Sequence, residues 1–206
     1  MSQDIVLYTH PMSRGRIARW MLEEAGADYD AVVMAYGPDM QTPDYLAINP
    51  MGKVPAIVHG DQVVTECAAI CAYLADAFPD AGLAPPLDKR GAYYRWLFFA
   101  AGPMEQAVTN KTMGFFTDDV QKQGMLGYGS YERARHALIT ALAGGGYIAG
   151  DRFTAADVYV GAQVVWGLQF GTIDPCPEFE AYAKLVSGRD AFLRAKEKDD
   201  ALVPKE

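Results

Sequence analysis

The chain has little cysteine and little histidine, three of each in 206 residues. Three cysteines cannot all pair, and Cys67 and Cys71 lie one helical turn apart, a spacing that does not favour a disulfide. A reducing cytoplasm is the expected compartment. His10, His59 and His136 show no metal-ligand spacing, so no metal is expected. Positive charge is also scarce: 18 Lys and Arg stand against 26 Asp and Glu, for a net charge of −8 and a pI near 4.9. Such a surface repels phosphate backbones, and nucleic acid is not expected as a partner. No apolar run approaches the roughly 20 residues that span a bilayer. The start, MSQDIVLYTHP, lacks the basic lead of a secretory signal, so neither a membrane nor export is expected.

What is present is ordinary globular material, 50% hydrophobic and 21% charged. Ile5 to Tyr8 reads as a strand. From Arg14 the period changes: Ile17, Trp20, Met21 and Leu22 fall at helical spacing, Ser13 stands where an N-cap belongs, and Gly26 is a stop. Tyr29 to Met34 reads as a second strand. The stretch from Gly37 to Pro50 reads as loop with a short helix around Tyr45. Val54 to Val58 and Gln62 to Val64 flank Gly60-Asp61, a hairpin signal, and Glu66 to Phe78 follows as a helix. The order β-α-β-(α)-β-β-α predicts a parallel pair extended by an antiparallel hairpin.

Prolines from Pro79 to Pro86 mark a linker, after which the pattern is helical throughout. Asp88 to Val108 reads as one long helix, with further helices over Ser130 to Leu142, Thr154 to Phe170, Pro177 to Val186 and Arg189 to Lys198. The predicted organisation is an α/β domain over 1–78, a linker over 79–87 and an all-helical domain over 88–206.

Three segments carry a resemblance: Asn49-Pro50-Met51-Gly52-Lys53-Val54-Pro55-Ala56-Ile57, Thr65-Glu66-Cys67-Ala68-Ala69-Ile70, and Gly150-Asp151-Arg152-Phe153-Thr154-Ala155-Ala156-Asp157. In this order and at these separations they resemble the glutathione transferases, over essentially the whole chain. The resemblance implies a thioredoxin-like first domain that binds glutathione, an all-α second domain, and a homodimer in which Met51 is an inserted key. It also implies a cis Val54–Pro55 bond.

Each segment has a physical reading of its own. A proline at a strand's start leaves an open edge, where the backbone of Val54 can pair with an extended peptide such as glutathione. Lys53 is placed to meet the glycine carboxylate of that peptide, or is a solvated surface lysine. Glu66 and Cys67 open a helix whose end attracts a carboxylate, with Glu66 facing the α-amino group. Cys67 stands where the family usually has Ser or Thr, a better hydrogen-bond donor. Thr154 with Asp157 is a capping box and belongs to folding.

The expected chemistry is activation of the glutathione thiol. Lowering a free thiol's pKa of about 8.5 by two units takes roughly 2.7 kcal/mol. One hydroxyl donating to the thiolate supplies about 1.5–3 kcal/mol, and a helix N-terminus adds roughly 0.3–1 kcal/mol. Two hydroxyls qualify: Ser13 in the strand-to-helix loop, which is favoured, and Tyr8 at the strand end; His10 is a weaker third. The second substrate, an electrophilic and largely apolar compound, is expected near Met104, Phe115 and Phe116. There periodicity fails between Asn110 and Ser130, and Gly114, Gly124, Gly127 and Gly129 break any continuous rod. The competing reading makes the two phenylalanines helical core. The alternatives to conjugation are a glutathione-dependent peroxidase or reductase of the same fold, and a non-catalytic binding protein built on the scaffold.

Overall fold

The computed structural model describes residues 5–203; the ends of the ranges 1–78 and 88–206 lie outside the described residues. The chain divides into two compact units, Met1–Ala84 with Arg189–Glu206, and Pro85–Gly188.

In the first unit a four-stranded sheet has the order β2-β1-β3-β4. Strand β1 (Ile5–Thr9) pairs in parallel with β2 (Tyr29–Val33) and antiparallel with β3 (Ala56–His59), which continues through a hairpin into β4 (Gln62–Thr65). Along β1 the period of two sends Ile5, Leu7 and Thr9 into the core and leaves Val6 and Tyr8 half-buried. Helix α1 (Gly15–Ala25) packs on β1 and on α3 (Cys67–Ala77), and the buried Ile17, Met21, Ile70 and Leu74 fill that side. The short α2 (Pro43–Ile48) brings Tyr45 into a second cluster with Met34 and Met40, against which Tyr8, Ile48 and Val54 pack. This is the thioredoxin-like arrangement expected.

The last helix, α10 (Asp190–Asp200), packs on α1, so residues from Arg189 onward belong to the first unit and not to a helical domain ending at 206. Charge explains the placement. Arg19 Nε donates to Asp199 Oδ1 at 2.8 Å with both groups buried, Arg16 Nη1 donates to Asp200 Oδ1 at 2.8 Å, and Arg189 clasps Glu24 through two bonds of 2.7 Å. Lys198 and Arg194 both reach Glu23. Apolar contact joins the ion pairs: Phe192 packs edge-on against Trp20 at 4.9 Å, and Ala191 and Ala195 are buried.

The second unit is helical: α4 (Gly91–Phe99), α5 (Glu105–Met113), α6 (Val120–Met125), α7 (Tyr131–Leu142), α8 (Ala155–Gln169) and α9 (Pro177–Ser187). The single helix expected over 88–108 is interrupted. Pro103 has no N–H and crowds the turn before it, so Ala100–Met104 widens into a π-turn in which the Glu105 N–H donates to Ala100 O. Helix α8 forms the centre of this unit, and its start is fixed by Asp157. One Asp157 oxygen accepts from Ile148 N (2.7 Å) and Tyr182 Oη (2.9 Å), the other from Thr154 N (2.9 Å) and Thr154 Oγ1 (3.0 Å). Burial pushes this carboxyl up, and the four hydrogen bonds pull it partly back.

Candidate functional site

The pairing registers set the site. Tyr8 stands opposite Ala56, and Ala56 opposite Thr65. The end of β1, the start of β3 and the end of β4 therefore share one end of the sheet, which gathers loop 10–14, Val54-Pro55 and Glu66-Cys67. A direct contact ties two of these segments: Cys67 Sγ donates to Arg14 O at 3.3 Å. The Cys67 thiol proton is thus committed to the loop.

Loop 10–14 is held at several points. Ser13 N–H and Ser13 Oγ both donate to His10 O, at 3.0 and 2.7 Å, and Gly15 N–H donates to Ser13 Oγ at 2.9 Å. Ser13 is not the N-cap expected. That position falls to Arg14, which makes no side-chain cap, while Ser13 folds the turn before it. Met12 N–H donates to His10 Nδ1 at 3.1 Å, and Tyr36 Oη donates to Met12 O at 3.0 Å with its ring 4.1 Å from the His10 ring. Gly15 is required beneath: a Cβ there would lie 1.9 Å from Thr9 Oγ1. Tyr8 is half-buried with its ring 5.5 Å from that of Tyr45, and among the described residues its hydroxyl has no hydrogen-bond partner. Burial first, then Tyr8, pushes Tyr45 up to about 12, so the Tyr45 hydroxyl remains a donor and holds Lys53 O at 2.7 Å.

Asn49 shapes the second segment. It is buried; its Nδ2 donates to Lys53 O at 2.7 Å and its Oδ1 accepts from Met51 N at 3.0 Å. Gly52 sits at φ 59°, where a Cβ would meet Met40 O at 2.8 Å. Val54–Pro55 is cis. Among the described residues no hydrogen bond reaches the Val54 backbone, and Lys53 is exposed with no ion pair.

At the third segment Glu66 has φ 63° and ψ 117°, the one positive φ at a non-glycine among the described residues. Such backbone costs of order 1–3 kcal/mol and collects at ligand-binding positions. The first bond of α3 runs from Ile70 N–H to Glu66 O, so the Ala68 and Ala69 amides have no partner within the helix and are open to a carboxylate.

The residues expected for the second substrate separate. Met104 is fully buried and has no surface to offer a ligand, whereas Phe115 and Phe116 are 62% and 72% exposed and so are not core. Phe116 lines a pocket of about 260 Å³ within the helical unit, together with Ala107, Lys111, Tyr128 and Tyr131. Sequence reasoning assigned no role to Asn49, Tyr36 or Arg16. Asn49 was signalled only by its place in the first motif, and the other two by nothing local.

Fold and site define an enzyme class, one with a thioredoxin-like unit that exposes a cis-proline edge, joined to a helical unit. The glutathione S-transferase N-terminal domain family matches residues 3–76. A glutathione S-transferase of Xanthomonas campestris pv. campestris is 33% identical over 64% of this chain and 68% of its own. A maleylacetoacetate isomerase of Pseudomonas aeruginosa is 30% identical over 92% and 94%. Among solved structures, a sphingomonad glutathione S-transferase complexed with glutathione superposes with a TM-score of 0.74 at 28% identity, over 95% of this chain and 98% of that one. The chain belongs to the glutathione S-transferase family.

Proposed function

We propose that the protein joins the thiolate of glutathione to electrophilic, largely apolar compounds, with Ser13 as the activating hydroxyl. One observation carries this reading. A loop hydroxyl, a Val54 backbone with no partner among the described residues and a strained Glu66 at a helix start share one end of the sheet. In this arrangement the Val54 backbone pairs with glutathione as with an added strand, Glu66 meets its α-amino group, the amides opening α3 meet its α-carboxylate, and Lys53 meets the glycine carboxylate.

The Ser13 proton now points at His10 O. Turning it to a thiolate gives up one neutral hydrogen bond, worth about 0.5–1.5 kcal/mol, for one to a charged acceptor worth about 1.5–3 kcal/mol. His10 O keeps the Ser13 N–H, so no buried acceptor is orphaned. The exchange favours the thiolate by about 1 kcal/mol. Tyr8 is the competitor because its hydroxyl has no bond to surrender among the described residues.

Phe115 and Phe116 supply apolar surface for the second substrate. A homodimer completes the reading: the first unit exposes Met51 (66%) and Val63 (50%), and the second exposes Phe98 (70%). The three cysteines are free thiols, which suits the cytoplasm, and no described helix is long and apolar enough to cross a membrane. The Pseudomonas relative favours one second reading, an isomerase working at the same site.

Retention on glutathione-agarose followed by an assay with a generic aryl halide tests the proposal. Retention with steady consumption of thiol supports conjugation. Retention with the aryl halide left intact, but with maleylacetoacetate isomerised and thiol conserved in a parallel assay, supports the second reading. Failure to be retained overturns both.

A further inference from the structure

Arg16 is the second residue of α1, and each side of its guanidinium is occupied. Its Nε donates to Pro11 O, within the loop that carries Ser13, and its Nη1 donates to Asp200 Oδ1 at 2.8 Å, on the last turn of α10. We infer that Asp200, acting through Arg16, is a positioning residue for loop 10–14, so that the C-terminal helix sets how the Ser13 hydroxyl is presented; the catalytic consequence rests on the glutathione reading above.

Besides Arg16, the loop is held at its far end by Cys67 Sγ on Arg14 O and at its centre by local bonds. The Met12 peptide unit is held by His10 Nδ1 and Tyr36 Oη, and His10 O by Ser13 itself. The one side chain that reaches the loop from the body of α1 to hold a backbone carbonyl is Arg16, on the buried Pro11. A free arginine has many rotamers and no reason to hold one carbonyl. A carboxylate on its far side selects the rotamer that does, because the planar guanidinium fixes both bonds in one frame.

Asp200 is an unusual choice for a helix end. An acid at a helix C-terminus faces the negative end of the dipole and is unfavourable there. Asp199 and Asp200 are both such acids, and both are turned to α1, onto Arg19 and Arg16, one turn apart on that helix. Lys196 also holds Asp200, and the bonds from Lys196 and Arg16 keep its carboxyl below the usual range, so it carries the charge that Arg16 needs. As stability, a half-exposed pair of this kind is worth little. Its value lies in direction: a displacement of about 1 Å in a reacting group costs up to a hundredfold in rate.

The test compares Asp200→Asn, Asp200→Glu, Arg16→Gln and the double variant Asp200→Asn/Arg16→Gln in the full chain. Two readouts are taken: amide hydrogen exchange at Met12 and Ser13, and the pH profile of conjugation with an aryl halide. Asp200→Asn is expected to speed exchange at those two amides roughly tenfold. It should also shift the pH of half-maximal rate upward and lower kcat on the order of tenfold, with KM for glutathione within about twofold. Asp200→Glu should recover most of this, and Asp200→Asn should add nothing in the Arg16→Gln background. Unchanged exchange at Met12 and Ser13, or additive single effects, overturns the inference. So does a loss of melting temperature with the pH profile unmoved, because that is what a merely structural role gives. If the wild type neither binds nor conjugates glutathione, the function proposed above fails, and the exchange data still decide the coupling of α10 to the loop.

Discussion

Asp157→Asn is nearly isosteric, which makes it a clean test of what holds the helical unit. The wild-type carboxylate accepts four hydrogen bonds: from the backbone amides of Ile148 and Thr154, from the Tyr182 hydroxyl and from the Thr154 hydroxyl. An amide has one oxygen. Whichever way it is turned, its NH2 confronts either the Ile148 N–H or the Thr154 N–H. The hydroxyls can rotate to accept; a backbone amide cannot. One buried donor left unpaired costs about 1–3 kcal/mol. The remaining bonds lose their charge assistance, while the neutral amide recovers part of the cost of burying a charge. The net is about 2 kcal/mol. For a chain of this length that is roughly 4–8 °C in melting temperature. The pH dependence has a definite sign. Burial raises the folded carboxyl's pKa above its ordinary 3.8. The group's contribution is therefore complete below that value and is lost as pH rises through the folded pKa. The gap between wild type and Asp157→Asn must widen as pH falls from 7 toward about 4. Thermal unfolding followed by circular dichroism across that range is the assay. A loss below about 0.5 kcal/mol, or a gap that narrows in acid, refutes the reasoning.

The exposed phenylalanines give a second expectation. Phe115→Ala and Phe116→Ala should each cost under about 0.5 kcal/mol of stability, against roughly 3–5 kcal/mol for a core phenylalanine. They should change the ratio of rates for bulky and small electrophiles, which melting curves and paired kinetics check together. A third concerns α10. Glu23 is pushed up by burial but held below its ordinary 4.5 by Lys198, Tyr29 and Arg194, and Asp200 is held below 3.8 by Lys196 and Arg16. Lowered carboxyls contribute stability above their unfolded values and lose it as pH falls through the folded ones. Asp199, raised by burial, acts in the opposite sense but is one group against two. Protection of the α10 amides, measured against their intrinsic exchange rates, should therefore fall below about pH 4, before protection in α8 does. An equal fall in both helices would refute this.

Much of the fold was legible because it is written locally. The alternation in β1, the Gly60-Asp61 hairpin and the Thr154/Asp157 cap each appear in the structure where period and turn chemistry put them. The misread parts depend on partners distant in sequence. Nothing in Arg189 to Lys198 says that this helix pairs with α1, because the decisive groups are Arg16, Arg19, Glu23 and Glu24, more than 160 positions away. The long helix over 88–108 failed for a local reason given too little weight: Pro103 lies in its interior. At the site, Val54-Pro55 and Glu66 were visible as motifs. The positive φ of Glu66 and the two-ended grip of Asn49 are geometric and leave no mark in composition. Met104 precedes an irregular stretch, which points to a pocket, yet it lies in the π-turn and packs inward.

Which hydroxyl faces the sulfur decides how the thiol is activated. The direct measurement is the ultraviolet absorbance of the thiolate of bound glutathione, titrated in the wild type, Ser13→Ala and Tyr8→Phe. The wild type should ionise the bound thiol about one unit below the free value of about 8.5, from about 1 kcal/mol supplied by Ser13 and roughly 0.3–1 kcal/mol by the helix end. Tyr8→Phe should leave that midpoint in place, and Ser13→Ala should raise it by about 0.7 unit with glutathione still bound. A midpoint that moves with Tyr8→Phe and not with Ser13→Ala, or a wild-type thiol that titrates like free glutathione, would contradict the account.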